Sequence, residues 1–284
     1  MSRIIDAHHH LWDPGSAEYP WMSEAVAPII RRFGPEDLAP LLATAGVDAT
    51  IVVQARPSLE ETRDLLAVAA ATRWLVGVVG WFDLTDPELD STIGRLRAGA
   101  GGDRLVGVRH QVHEEGDPEW LLRRDVGRGL DAVERAGLAY DLLVRSRELP
   151  AAIRVAADHE GLSFVLDHLA KPPIATSGWQ PWAGLVGELA GHPNVACKLS
   201  GMVTEARSGG WGIADVRPYA DHVLEVFGAD RVLFGSDWPV CLLEAGYEGV
   251  VRLARELIAD RSPSDQAAIL GGNADRIYRP AGVA

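Results

Sequence analysis

Residues 4–14 read IIDAHHHLWDP, and this stretch decides between the two commonest ways of building an alternating α/β chain. The opening apolar pair resembles a first parallel strand. It runs straight into His8, His9 and His10, without the Gly-x-Gly-x-x-Gly turn that a dinucleotide-binding doubly wound sheet carries there. Seven more short apolar runs follow, at residues 50–54, 75–81, 105–110, 139–144, 163–168, 195–200 and 232–237. Stretches of helical period alternate with them, at 35–45, 58–72, 87–97, 123–136, 147–160, 182–190, 215–227 and 247–259. Several begin on a capping residue followed by acids, as at Ser58, Glu60 and Glu61, and several end at a glycine such as Gly46, Gly137, Gly161 or Gly228. Eight strands and eight helices in 284 residues, near the ~250 typical of one barrel, predict an α/β fold, a (β/α)8 TIM barrel with a single domain over 1–284.

The charge balance narrows the partners. With 27 basic and 40 acidic side chains the net charge is −13, and no segment concentrates arginine. That excludes nucleic acid and an anionic membrane surface as the main partner and points to a small molecule. The oligomeric state is left open. Cys197 and Cys241 cannot make a disulfide framework and have no metal-ligand spacing around them. Residues 1–10 lack the apolar stretch of a signal peptide, and no run approaches the ~18 apolar residues of a membrane span, so a cytoplasmic protein is expected. Only two of the basic residues are lysines, Lys171 and Lys198.

In a barrel the catalytic loops follow the C-terminal ends of the strands, and the chemically capable side chains of this chain gather there. His8 and His10 are two apart, so in an extended strand both rings share a face, where they can ligate a metal or donate hydrogen bonds to a substrate oxygen. Asp237 closes the last run in FGSDWP, placed to take a proton from water. His168 ends the sixth run, with Lys171 three residues on. Lys198 lies within the seventh, and a lysine inside a strand of an edgeless barrel is expected to reach the barrel mouth. Of the neighbours Arg109 and His110, one faces inward and one outward, and Asp141 is placed to pair with one of the nearby cations. Trp21, Trp81, Trp179 and Trp238 lie near the same rim, where aromatic faces pack against a sugar ring. Arg109, His110, Lys171, Lys198, Trp21, Trp81 and Trp238 are therefore the candidate substrate-binding residues.

Taken together, DAHHHLWDP (residues 6–14), GVRHQ (107–111), DHLAKP (167–172) and GSDWP (235–239) resemble the lactonase branch of the amidohydrolase superfamily, over essentially the whole chain. The resemblance implies a (β/α)8 barrel that hydrolyses lactones of sugar acids, such as L-fuconolactone or L-rhamnonolactone, or related ring esters. It implies His8, His10 and His168 around the carbonyl and Asp237 as the base. Metal-dependent members of the wider superfamily place a histidine at the end of strand five and often a carboxylated lysine at strand four. Here strand five offers Asp141, and strand four Arg109 and His110, which disfavours a two-metal site. No cofactor is strictly required on this reading; where one divalent cation binds, zinc is the expected ion, held by His8, His10 and Asp237.

Two other readings use the same residues. One is a metal-dependent decarboxylase of an aromatic or muconate-type acid; the other is a non-catalytic barrel that binds a sugar acid.

Overall fold

The computed structural model describes residues 3–279. Strands β1 (Ile5–His9), β2 (Ala49–Val53), β3 (Leu75–Gly80), β4 (Leu105–His110), β5 (Ala139–Leu142), β6 (Phe164–Leu166), β7 (Val195–Leu199) and β8 (Val232–Phe234) form one sheet in sequential order. Every neighbouring pair is parallel. The ends meet as well: Asp237 N–H donates to the His8 carbonyl (2.8 Å) and His10 N–H to the Trp238 carbonyl (2.6 Å), closing the barrel.

Helices α1 (Pro35–Ala45), α2 (Leu59–Ala71), α3 (Leu89–Arg97), α4 (Arg124–Arg135), α5 (Leu149–Asp158) and α6 (Trp182–Ala190) follow the first six strands in turn. After β7 come a short α7 (Met202–Glu205) and the long α8 (Ile213–Phe227), and after β8 comes α9 (Tyr247–Leu257). Local chemistry sets these boundaries. Pro35 starts α1 with its φ already helical, and the Asp37 carboxylate accepts from the Gly34 N–H at 2.8 Å. Ser58 caps α2 by accepting from Glu61 N–H.

Two apolar layers result. One lies between sheet and helices, around side chains such as Leu65, Val108, Leu142 and Phe234. The other fills the barrel's lower interior with Ile5, Ala7, Ile51, Val53, Val79 and Val165. The eight expected helices omit what seals that interior from below. Residues 263–278 continue as α10 (Pro263–Ala267), a π-helical turn (Ala268–Gly272) and α11 (Asn273–Tyr278). Asn273 anchors this segment by donating to the carbonyls of Ala229 (2.8 Å) and Val232 (2.7 Å), and Ala274 and Tyr278 plug the inner layer. No helix among the described residues is long and apolar enough to cross a membrane.

The strands are shorter than expected where they approach the mouth. β6 stops at Leu166 because residues 168–171 turn left-handed, and β8 stops at Phe234 because residues 235–237 bend over His8. In β1 the register slips between Asp6 and His9, a β-bulge. Ile5 and Ala7 face inward with the lower core; beyond the bulge His8 and His10 face inward while His9 turns outward to the Thr50 hydroxyl at 2.8 Å.

Two glycines of α4 give opposite expectations. A Cβ at Gly129 would lie 2.2 Å from the Leu84 carbonyl oxygen, whereas one at Gly127 meets nothing within 4 Å. Gly129→Ala should therefore destabilise the protein by about 1–3 kcal/mol through overpacking. Gly127→Ala should stabilise it by about 0.5–1 kcal/mol through helix propensity. Urea denaturation of the two variants beside the parent reads both signs.

Candidate active site

A cavity of about 310 Å³ opens at the C-terminal end of the barrel, with His10, His168, Asp237 and Arg109 on its floor. His8 lies directly beneath, fully buried. Asp237 is the hub: its Oδ1 is 3.5 Å from His10 Nε2 and 3.8 Å from both His8 Nε2 and His168 Nε2. The residue sits at φ 58, and His168, Leu169, Ala170 and Lys171 all have φ between 49 and 59. Non-glycine residues in the left-handed region cost free energy and persist where the surroundings over-determine them. Here four successive left-handed residues aim His168 and Lys171 into one cavity. Gly201 makes room: a Cβ there would sit 2.6 Å from His168 Nδ1.

Hydrogen bonds assign the rings their roles. His10 Nδ1 lies 2.7 Å from the Val53 carbonyl, which can only accept, so Nδ1 carries the proton and the Nε2 lone pair faces the cluster. His8 Nε2 is 3.2 Å from that lone pair. On its other side, His8 Nδ1 meets the Lys198 ammonium at 3.1 Å and Asp167 Oδ1 at 3.3 Å, a donor and an acceptor, so either tautomer finds a partner. His168 Nδ1 pairs with the Ser200 hydroxyl at 2.9 Å.

Burial disfavours charged imidazole. It lowers His168 to about 4, against the pull of Asp237, and holds His8 well below its ordinary range in spite of Asp167. For Asp237 burial alone would raise the carboxyl, but the neighbouring imidazoles, His168 first and then His10 and His8, outweigh it and hold the group below the usual carboxylate range. At neutral pH the site thus presents an ionised carboxylate beside the neutral imidazoles of His8 and His168.

Of the pair at residues 109–110, Arg109 points inward. Its Nη1 donates to Asp167 Oδ2 at 3.0 Å and approaches His8 Nε2 at 3.3 Å, and its Nη2 donates to the Gln54 side chain at 3.1 Å. Its buried Nε–H has no partner among the described residues. His110 faces the other way, stacked on Trp120 with ring centroids 4.3 Å apart and 2.7 Å from Glu115. It borders an adjoining cavity of about 220 Å³ that shares Trp21, Gln111 and Glu114 with the first.

Of the expected substrate contacts, Lys198, Trp238 and Trp81, like His110, do not line this cavity. Lys198 lies below the cavity, fully buried between Asp141 (2.5 Å) and Asp167 (2.9 Å), because its strand position directs it into the barrel rather than out of the mouth. Trp238 is buried edge-on against Phe33, and Trp81 spends its indole N–H on His110 Nδ1 at 3.0 Å; neither lines the cavity. Trp179 packs on Trp182 and Tyr219, away from the site. Trp21 and Lys171 do line it, the former held by its Nε1–H donating to the Ala55 carbonyl at 2.8 Å.

Other contributors carry no motif. Glu205, at the end of the short α7, and Arg145, from the loop after β5, line the cavity along a path the sequence does not reveal. Glu61, on the buried face of α2, accepts from the N–H groups of Ala55 and Arg56, each at 3.0 Å, and so fixes the wall beside Trp21. Asp6, two residues before His8, was open to detection as an acid inside an apolar strand.

Among the described residues, His8, His168 and Asp237 form one group whose donor atoms all lie within 4.8 Å of one another. Two imidazoles and a carboxylate, all buried, suit a single divalent cation; His168 stands in this group where His10 was expected, and His10 Nε2 lies 3.5 Å from Asp237 Oδ1.

A family model described as amidohydrolase matches residues 5–279. An L-fucono-1,5-lactonase of Burkholderia ambifaria is 40% identical, over 98% of this chain and 96% of that one. An L-fucono-1,5-lactonase of Burkholderia multivorans is 37% identical, over 96% and 95%. The crystal structure of an amidohydrolase from Burkholderia multivorans with bound zinc superposes with a TM-score of 0.92 at 36% identity, covering 98% of this chain and 100% of that one.

The buried charges give two expectations. Lys198→Met leaves Asp141 and Asp167 without their ammonium and should cost about 3–5 kcal/mol of stability by urea denaturation; Lys198→Met with Asp141→Asn should recover part of it. Glu61 is raised by burial from 4.5 to about 7, against the donors at Ala55 and Arg56. Its folded form therefore binds protons more tightly than the unfolded chain, a contribution present below about 4.5 and lost as pH rises through about 7. Between pH 5.5 and 8 the parent should lose on the order of 1–2 kcal/mol relative to Glu61→Gln; equal losses contradict the assignment.

Proposed function

The chain belongs to the amidohydrolase family, and from that premise we propose that it opens the ring of a sugar-acid lactone with water, L-fucono-1,5-lactone or a similar aldonolactone being the substrate. The observation that carries the chemistry is the ionised Asp237 carboxylate on the cavity floor, held within 4 Å of the His8, His10 and His168 rings. A general base must be deprotonated and within reach of the nucleophile's proton. Asp237 takes that proton from the attacking water and returns it to the departing ring oxygen, becoming a carboxylate again.

Negative charge develops on the carbonyl oxygen as water adds, and preorganised donors stabilise it. The Nε2–H of His168, whose Nδ1 can accept from Ser200, is such a donor on the cavity floor, with the Arg109 side chain beside it. Trp21, Leu143 and Val240 present apolar surface to the C–H face of the ring. A zinc ion held by His8, His168 and Asp237 would supply Lewis-acid polarisation of the carbonyl in place of the His168 N–H, because His168 Nε2 would then give its lone pair to the ion.

A pH-indicator screen over aldonolactones, with CO2 monitored and metal content measured before and after chelation, tests this reading. Acid release without CO2 is expected; release of CO2 from an aromatic acid, or no acid from any lactone, overturns it. Asp237→Asn should lower kcat by about 10²–10⁴-fold with an unchanged circular dichroism spectrum. Unaltered turnover would remove Asp237 from the base role.

A further inference from the structure

Lys171 and Glu205 face each other on the cavity wall, Nζ to Oε1 at 2.8 Å, with side chains only 17% and 16% exposed. They come from different elements. Lys171 ends the left-handed turn that begins at His168, and Glu205 ends α7. A purely structural tie between turn and helix would use one ammonium N–H and one carboxylate lone pair. The ammonium has three donors and the carboxylate about four acceptor positions, and no other hydrogen bond to either head group exists among the described residues. Thr204 beside them spends its hydroxyl on the Gly201 carbonyl at 3.0 Å.

The remaining donors and acceptors therefore stand side by side in the cavity. Two hydroxyls on neighbouring ring carbons need that arrangement, one donating to the carboxylate and the other accepting from the ammonium. Because Lys171 and His168 belong to one four-residue turn, a ring whose carbonyl lies at His168 and Asp237 brings the carbons nearest the carbonyl toward the pair. We propose that Glu205, with Lys171, determines specificity by binding two adjacent ring hydroxyls next to the lactone carbonyl. This rests on the lactone-hydrolase reading and adds to it a named recognition device.

The experiment compares kcat/KM for the parent protein on its best lactone and on the 2-deoxy and 3-deoxy analogues, and repeats the set with Glu205→Ala. Removing the hydroxyl that the carboxylate reads should cost the parent about 10–100-fold, since a buried charged partner is then left unmatched. Glu205→Ala should lose a similar factor on the full lactone and little more on the analogue lacking that hydroxyl. Equal kcat/KM of the parent protein on all three substrates overturns the proposal whether or not the variant folds, and so does a uniform loss in Glu205→Ala. Turnover without hydroxyl dependence defeats this inference alone; no turnover of any lactone defeats the reading beneath it, and this inference with it.

Discussion

The Asp6 carboxylate holds the barrel shut at the seam where the chemistry is assembled. Oδ1 accepts from the N–H groups of Ser236 (2.8 Å) and His8 (3.1 Å), and Oδ2 from the hydroxyls of Ser236 (2.6 Å) and Tyr247 (3.1 Å). β8 contributes only three residues, so sheet pairing alone gives little purchase there. One buried carboxylate therefore ties the histidine strand, the loop bearing Asp237 and helix α9 to a common point. Burial raises Asp6 to about 6, with the four donors opposing that rise. Gly235 completes the closure, since a Cβ there would lie 2.7 Å from that of His8.

Below this seam the interior changes from oil to charge and back. Lys198, Asp141, Asp167 and Arg109 form a buried chain of ion pairs, and Tyr278 donates to Asp141 at 2.7 Å from the apolar plug underneath. Such a chain is a weak source of stability, because desolvating the ions offsets most of their attraction. Its product is geometric. Asp167 is held well below the usual carboxylate range by Lys198, His8 and Arg109 although burial opposes this. It fixes both Arg109 and the His8 ring from beneath, so the cavity floor is built on a rigid support.

The sequence showed the barrel well because its signals are periodic. The bounds of α1 and α6 agree with the helical stretches expected, and the strand order follows from alternation. His8, His10, His168 and Asp237 were visible as chemically capable residues at strand ends, and the structure groups them. What failed to show has a common cause: side-chain direction depends on backbone irregularities that periodicity does not encode. Alternation from Ile5 and Ala7 would turn His9 inward, and only the bulge reverses this. The left-handed path after β6 follows from no single residue type there. Glu205 reaches the cavity through a four-residue helix too short to leave a pattern, and the closing segment after residue 262 lies outside the repeating unit.

Arginine dominance has a practical side once the two lysines are located. Lys198 is sealed inside the barrel, and Lys171 is the one lysine side chain with any opening to solvent, on the cavity wall. The positive charge of the outer surface is carried by guanidinium groups. Reagents that acylate or cross-link lysine amines therefore find no side-chain target on the exterior, and any lysine side chain they do label marks the cavity wall.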